Sequence, residues 1–186
     1  MTLALTGYAA LFGVADGSGD VIRPGAFARS LLRRRKGGLP MLWQHDPSRP
    51  IGLWTACEED GHGLRVSGRL TQGVAQAEEA ARLIGAQALS GLSIGFRALR
   101  AERPLPRAAG PGSAVAPGVR RVLVEIDLWE ISLVTFPQMP DARVRLQAMA
   151  DPASLEIGRH RSRGGPQHRL STLVDWSARR RAATAI

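Results

Sequence analysis

The chain has 186 residues, 44% of them hydrophobic, which is enough for one packed domain with a tail and argues against a wholly disordered protein. Its net charge is +9, from 25 basic and 16 acidic residues. No apolar run approaches the roughly 18 residues that cross a bilayer, so we expect no membrane segment. The single cysteine, Cys57, excludes an internal disulfide framework and a cysteine-rich zinc site. The first residues lack a basic segment, so we expect no signal peptide and a reducing, cytoplasmic setting.

Arginine supplies every basic residue except Lys36, and its planar guanidinium suits phosphate, so nucleic-acid binding must be considered. The arginines are scattered along the chain, however, and cluster only at residues 33–36 and 179–181. Only 5% of the residues are aromatic, whereas single-stranded nucleic acid is bound with aromatic side chains between the basic ones. Codon usage in a GC-rich genome explains the arginine excess better. A basic nucleic-acid-binding barrel remains an alternative, and it predicts DNA affinity that falls steeply with salt.

Six segments have the apolar content or the alternation that is typical of strands. In chain order they are Leu3–Phe12, Leu39–Gln44, Ile51–Cys57, Leu64–Leu70, Leu89–Leu99 and Val122–Phe136. In the last of them, strict alternation places Val122, Val124, Ile126 and Leu128 on one face. Two helices are predicted, over Pro24–Leu32 and Val74–Ile84, the second ending in a left-handed cap at Gly85. This order predicts a β-barrel or sandwich rather than an alternating parallel α/β sheet.

The composition divides the chain into a domain over residues 1–150 and a basic tail over residues 151–186. Residues 158–166 show no apolar periodicity, so we expect the tail to be largely disordered. Leu170, Leu173 and Val174 have helical spacing, which fits a short amphipathic helix. Such a segment is a docking peptide or is removed by self-cleavage, and a frayed terminus without a role is the plainer interpretation. Within the domain, the proline-rich and glycine-rich stretch Pro104–Gly118 predicts a long surface loop.

Two histidines lie in the predicted domain, His45 and His62. His45 follows the apolar segment Leu39–Gln44 and precedes Pro47, so we expect its imidazole at a strand end, held rigidly and open to solvent. A neutral imidazole there is a natural general base, although a lone histidine is more often structural or simply exposed. His62 lies between glycines in a turn, where we expect it to be solvated.

Ser93 lies in an apolar run, and Gly95 follows where a backbone or a substrate can approach closely. A serine inside such a strand must satisfy its hydroxyl. A hydrogen bond to the backbone is the simpler interpretation, and a nucleophilic role is the other. Ser90 is the other candidate nucleophile in this segment. It lies three residues before Ser93, and because side chains alternate along a regular strand, we expect it on the opposite face.

Glu130 lies within the apolar run Leu128–Phe136, where an unpaired acid is costly to bury. It could orient a histidine, as the third member of a serine–histidine–acid triad does. An acid of an edge strand that faces water is the plainer interpretation. Glu125 and Asp127 are competing acids on the same strand.

Taken in order, several segments resemble the prohead (capsid maturation) protease family of tailed bacteriophages, of the HK97-like type. They span about residues 5–145 and comprise Pro24–Phe27, Leu42–Asp46, Pro50–Gly52, Gly61–Leu64, Gly91–Phe96 and Glu130–Pro137. The resemblance implies a mainly β fold with α-helices, a closed barrel of about six or seven strands wrapped by helices, like herpesvirus assemblin.

The resemblance further implies a serine endopeptidase that acts inside assembling procapsids in the bacterial host cytoplasm. Its partners would be the major capsid protein with its scaffold segment, the protease itself as a substrate, and a second copy in a homo-oligomer. Carried onto this chain, the nucleophile is Ser93, the base is His45 and the third member is Glu130. Herpesvirus relatives use a second histidine in the third position, but this chain has none between His62 and His160.

The hypothesis of a serine endopeptidase requires no cofactor, no metal, no specific nucleic acid and no membrane. The alternative on the same fold is a catalytically inactive scaffolding or capsid-assembly protein, which has no need to bring Ser93 and His45 together. Either protein would serve an infectious phage or a phage-derived particle.

Overall fold

The computed structural model describes residues 3–34, 37–104 and 118–147. Within these ranges the elements follow one another as β1 (Ala4–Leu11), β2 (Asp20–Ile22), α1 (Ala28–Arg33), β3 (Leu39–Trp43), β4 (Asp46–Glu59), β5 (Gly63–Leu70), α2 (Ala75–Gly85), β6 (Gly91–Glu102), β7 (Arg121–Val134) and β8 (Arg143–Leu146). All six predicted strands and both predicted helices are present, with shifted ends.

Seven of the strands close into a barrel in the order β7-β3-β4-β5-β1-β8-β6, and β6 pairs back with β7. Closure leaves no long unpaired edge around the ring. The short strand β2 lies outside the ring and pairs in parallel with the start of β7. The barrel confirms the predicted mainly β fold and the expected strand number.

Strands β2 and β8 were not predicted from the sequence. β8 has only four residues, and its alternation of Arg143 and Arg145 with Val144 and Leu146 is too short to stand out. It nevertheless pairs with β1 over four residues and with β6 at Gly91, and so completes the ring. Residues 105–117 of the surface loop predicted over Pro104–Gly118, and the whole tail predicted over 151–186, lie outside the described residues.

The barrel interior is filled by aliphatic side chains around one tryptophan. Trp54 is fully buried and donates a hydrogen bond from Nε1 to the carbonyl oxygen of Ile131, 2.9 Å away. The bond satisfies the one polar atom of the side chain, as a buried indole requires. The other large, fully buried side chains are Phe27, Leu5, Met41, Ile51, Leu64, Leu92, Leu123, Ile126, Leu128, Ile131 and Leu133.

The alternation predicted for β7 is wrong at Val122 and Val124, which are only partly buried. The fully buried apolar residues of the strand are Leu123, Ile126, Leu128, Ile131 and Leu133. The reason is irregular pairing with β6 at two places. Arg100 pairs with Glu125 and Ala101 with Leu123, which leaves Val124 unpaired between them, and further along Phe96 pairs with Leu128 while the preceding Gly95 pairs with Glu130. Trp129 is thus an extra residue in β7, and such a bulge reverses the faces that follow it. Ile131 therefore enters the core, and Glu130 points away from it.

Both helices differ from their predicted bounds for a backbone reason. α1 begins at Ala28 rather than Pro24, because Gly25 has a φ of 88°, which is incompatible with a helix. In α2, Gly85 is the last helical residue, and the left-handed residue after the helix is Gln87, with a φ of 59°. α1 packs against β4 and β7, and α2 packs against β4, β5 and β8. Neither helix of the described ranges is long and apolar enough to cross a membrane.

Candidate active site

His45 lies in a two-residue turn that joins β3 to β4. Trp43 and Asp46 pair across this hairpin, and the two residues between them, Gln44 and His45, have φ angles of 52° and 62°. Two positive φ angles are the requirement of a type I′ turn, which asparagine and glycine fill best. For other residues, such a conformation costs on the order of 1–3 kcal/mol each and persists only where neighbours enforce it.

The His45 ring forms an ion-pair geometry with Glu130. Its Nδ1 lies 2.7 Å from Glu130 Oε1, and the His45 side chain is 41% exposed while that of Glu130 is 11% exposed. Because a carboxylate only accepts hydrogen bonds, the hydrogen of this bond is on Nδ1, and Nδ1 is the donor. A neutral imidazole with its hydrogen on Nδ1 has Nε2 as an acceptor, which is the arrangement that a general base requires.

Gly95 provides the space that the Glu130 carboxylate occupies. The two residues are paired across β6 and β7, so a side chain at position 95 would lie on the same face as Glu130. A methyl group built on Gly95 would lie 2.8 Å from Glu130 Cδ and 2.9 Å from Cγ. The glycine therefore lets the carboxylate lie flat over β6 while it bonds to His45.

Ser93 lies on the same face of the β6–β7 pair, two residues before Gly95, and is paired with Ser132. It is only 6% exposed, yet its hydroxyl makes no hydrogen bond within the part of the chain that the structure describes. Every fully buried side-chain nitrogen or oxygen in these ranges has a hydrogen-bond partner. The Ser93 hydroxyl therefore reaches solvent, and it is not hydrogen bonded to His45 here.

The structure thus joins His45 to Glu130 directly and places Ser93 on the neighbouring strand, paired with Ser132. The Ser132 side chain in turn bonds to both His45 and Glu130. Ser90 lies before β6 begins, so the alternation argument does not apply to it, and its carbonyl accepts the N–H of Val144. His62 lies in the β4–β5 turn, where its ring packs edge-on against Tyr8.

The competing acids of β7 are engaged elsewhere. Glu125 pairs with Arg29 at 3.0 Å, and Asp127 pairs with Arg33 at 3.0 Å. The hydrogen bond from Trp129 Nε1, together with Arg33, holds the pKa of Asp127 below its usual value. Neither acid is bonded to a histidine, so Glu130 is the acid that the geometry favours.

An open groove of about 720 Å³ runs beside His45 and Glu130. Its walls are mostly apolar and comprise Pro40, Leu42, Pro47, Pro50, Ile94, Phe96 and Trp129. Trp129 is 49% exposed, which is unusual for so large an apolar side chain. Ser93 lines a smaller cavity of about 210 Å³ next to it, and Ile94 and Phe96 contribute to both. A groove of this kind has room for side chains of an extended peptide.

Ser132 belongs to the site, although the sequence reasoning passed over it. Its side chain is fully buried, donates a hydrogen bond to Glu130 Oε2 at 2.6 Å and accepts one from the backbone N–H of His45 at 3.1 Å. The one available signal was its position two residues after Glu130, on the same strand face. No group of three histidine, cysteine or acidic side chains able to hold a metal occurs in the described ranges.

Comparison with known sequences and structures finds relatives of this chain. A family model described as caudovirus prohead serine protease matches residues 1–154, most of the chain. The prohead protease of Enterobacteria phage HK97 is 29% identical over 146 residues, which are 78% of this chain and 60% of that protein. This chain therefore spans about 60% of the length of that relative.

Among solved structures, the protease of Kaposi's sarcoma-associated herpesvirus, in complex with a hexapeptide phosphonate inhibitor, superposes with a TM-score of 0.51. The sequence identity is 17%, and the match covers 80% of this chain and 66% of that chain. At this identity the likeness concerns the fold alone, and it confirms the predicted resemblance to the herpesvirus protease barrel.

Proposed function

Because this chain belongs to the family of caudovirus prohead serine proteases, we propose that it is a serine endopeptidase that matures a phage or phage-derived procapsid. Its substrates are the major capsid protein with its scaffold segment, and the protease itself. The observation that carries the proposal is the 2.7 Å hydrogen bond between His45 Nδ1 and Glu130, made by a histidine side chain that remains partly exposed to solvent.

In the proposed reaction Ser93 Oγ attacks the carbonyl carbon of the scissile peptide bond. A C–O bond forms while the hydroxyl proton passes to His45 Nε2. Collapse of the tetrahedral intermediate breaks the C–N bond, and the leaving amine takes that proton from His45. A water molecule then repeats the sequence on the acyl-enzyme and regenerates the Ser93 hydroxyl.

Glu130 acts on the imidazole rather than on the substrate. By accepting the Nδ1 proton it fixes the tautomer that presents a free Nε2, and it stabilises the positive ring that forms during attack. Removal of the hydrogen-bond acceptor leaves a histidine that samples the wrong tautomer. Ser93 must move toward His45, or His45 toward Ser93, since catalytic hydrogen bonds often tighten only when substrate binds.

An inactive scaffolding protein on the same barrel would not require this constellation. It gains nothing from a strained histidine turn, from a glycine that makes room for a carboxylate, or from an unpaired serine hydroxyl that reaches solvent. These three features support the protease over the scaffold. They lie beside a groove that can receive an extended chain.

We also propose that the basic tail over residues 151–186 docks the enzyme onto acidic parts of its capsid or scaffold partner. The net positive charge of the chain would favour such an encounter inside a procapsid. The enzyme would then act in the host cytoplasm, within assembling particles.

The test is co-expression of the full chain with its cognate capsid protein, followed by intact-mass analysis of both. The wild-type chain should shorten the capsid protein, and Ser93→Ala and His45→Gln should each leave it at full length. If the Ser93→Ala variant still shortens the capsid protein, the proposed enzyme is wrong. If neither the wild-type chain nor any variant cuts the capsid protein while particles still assemble, the hypothesis of an inactive scaffolding protein is supported instead.

A further inference from the structure

We propose that Ser132 is a positioning residue that locks the strained His45 turn to Glu130 and so sets the geometry of the catalytic pair. This inference rests on the proposed function, because it concerns how His45 and Glu130 are held for catalysis. It assigns a part in the reaction rate to a fully buried serine that does not itself line the groove.

Three hydrogen bonds close a ring among the three residues. His45 Nδ1 donates to Glu130 Oε1 at 2.7 Å, Ser132 Oγ donates to Glu130 Oε2 at 2.6 Å, and the His45 backbone N–H donates to Ser132 Oγ at 3.1 Å. Each Glu130 oxygen therefore has its own partner, and the carboxylate cannot rotate without losing one bond. The same serine fixes both the acid and the backbone of the base.

The need for such a lock comes from the turn. Gln44 and His45 both have positive φ angles, which residues other than glycine rarely adopt unless neighbours enforce them. The end of β7 supplies the neighbours, since the Leu133 carbonyl accepts the Gln44 N–H and Thr135 Oγ1 accepts a bond from Gln44 Nε2. Ser132 lies on the same strand, and among these neighbours it is the one whose side chain bonds to both His45 and Glu130.

Ser132 is not itself a second nucleophile. Its side chain has no exposed surface, and its proton is committed to Glu130. Its paired residue across the strands, Ser93, has the solvent-reachable and unpaired hydroxyl. The two serines thus have different parts, one reactive and one structural within the site.

Ser30 offers a matched control. It is also fully buried, and its Oγ also accepts a backbone N–H, that of Leu128 at 2.9 Å. It lies on α1 and touches neither His45 nor Glu130 through a hydrogen bond. Replacing either serine by alanine therefore removes one buried acceptor of a backbone N–H, but only one replacement disturbs the catalytic pair.

The experiment uses the full chain and a fluorophosphonate probe, because a natural substrate is not required. The probe forms a bond between Ser93 Oγ and phosphorus as the P–F bond breaks, fluoride leaves and the serine proton passes to His45. We expect Ser132→Ala to lower the maximal labelling rate by about 100-fold, the cost of misplacing a catalytic group by about 1 Å. The probe concentration for half-maximal rate should stay near that of wild type.

Ser30→Ala should label at the wild-type rate. Ser132→Cys, whose thiol is larger and forms weak hydrogen bonds, should fold but label slowly. The proton on His45 Nδ1, seen by NMR as a strongly downfield signal when bonded to a carboxylate, should shift or vanish in Ser132→Cys and persist in Ser30→Ala. Rates and signals in Ser132→Cys equal to those of wild type would overturn the inference. If Ser93→Ala still labels, the proposed function fails instead, so the two failures are distinguishable.

Discussion

Replacement of Gly95 by alanine tests whether the reaction rate depends on the position of the Glu130 carboxylate. The added methyl group would meet the carboxylate, with Glu130 Cδ at 2.8 Å, whereas ordinary contacts begin at 3.4 Å. The Gly95 backbone has no positive φ, so alanine is not disfavoured there for conformational reasons. The conflict therefore falls on the Glu130 side chain alone.

The displacement required is at least about 0.6 Å at Cδ, and more at the oxygen that bonds to His45. A shift of about 1 Å in a catalytic group can lower a rate by about 100-fold. We therefore expect Gly95→Ala to reduce the maximal fluorophosphonate labelling rate by about that factor. Thermal stability should also fall, because the displaced carboxylate loses hydrogen bonds to His45 and Ser132, although alanine restricts the unfolded chain as well.

Gly61→Ala is the matched control, because a methyl group at Gly61 meets no atom within 4 Å and the residue lies in the β4–β5 turn. It should label like wild type. Both variants should be compared by labelling rate and by thermal unfolding in the same buffer. Labelling of folded Gly95→Ala at the wild-type rate would refute the reasoning, since the carboxylate would then have moved without consequence.

Three further outcomes are expected. Ser93→Ala should abolish cleavage of the capsid protein, measured by intact mass, while Ser90→Ala should preserve most of it. The reverse result would show that the assignment of the nucleophile is wrong by three residues. Burial raises the pKa of the Cys57 thiol to about 11 from 9.0. Since the thiolate is the reactive form, iodoacetamide at pH 8 should modify Cys57 about 100-fold more slowly in the folded than in the unfolded chain. Equal modification rates, measured by mass spectrometry, would contradict this. A chain truncated after Ala150 should still cut peptides but no longer enter assembling particles, and normal processing of capsid protein inside particles would exclude the docking tail.

Much of the barrel could be predicted because its longer strands are apolar enough to be seen alone. β8 could not, since four residues carry too little pattern and its place in the ring depends on partners far along the chain. The inward face of β7 also escaped prediction. Irregular pairing with β6 leaves Val124 as an extra residue within the alternating segment, and a bulge at Trp129 reverses the faces of the residues that follow.

The same bulge explains why the site was only partly predictable. Without it, Glu130 would share the face of Leu128 and point into the core. His45 and Glu130 were named from residue type, context and family resemblance, and the structure joins them. Ser132 carried no signal of its own, because a serine in an apolar strand has many ordinary uses. Its part depends on a turn that lies 87 residues earlier in the chain.

The central claim is that Ser93 is a nucleophile activated by His45. Labelling of the full chain with a fluorophosphonate, followed by proteolysis and peptide mass mapping, tests it most directly. The account predicts one adduct, on Ser93, which disappears in His45→Gln and in the unfolded protein. An adduct on Ser90 or Ser132 instead, or equal labelling of Ser93 with and without the His45 imidazole, would contradict the account.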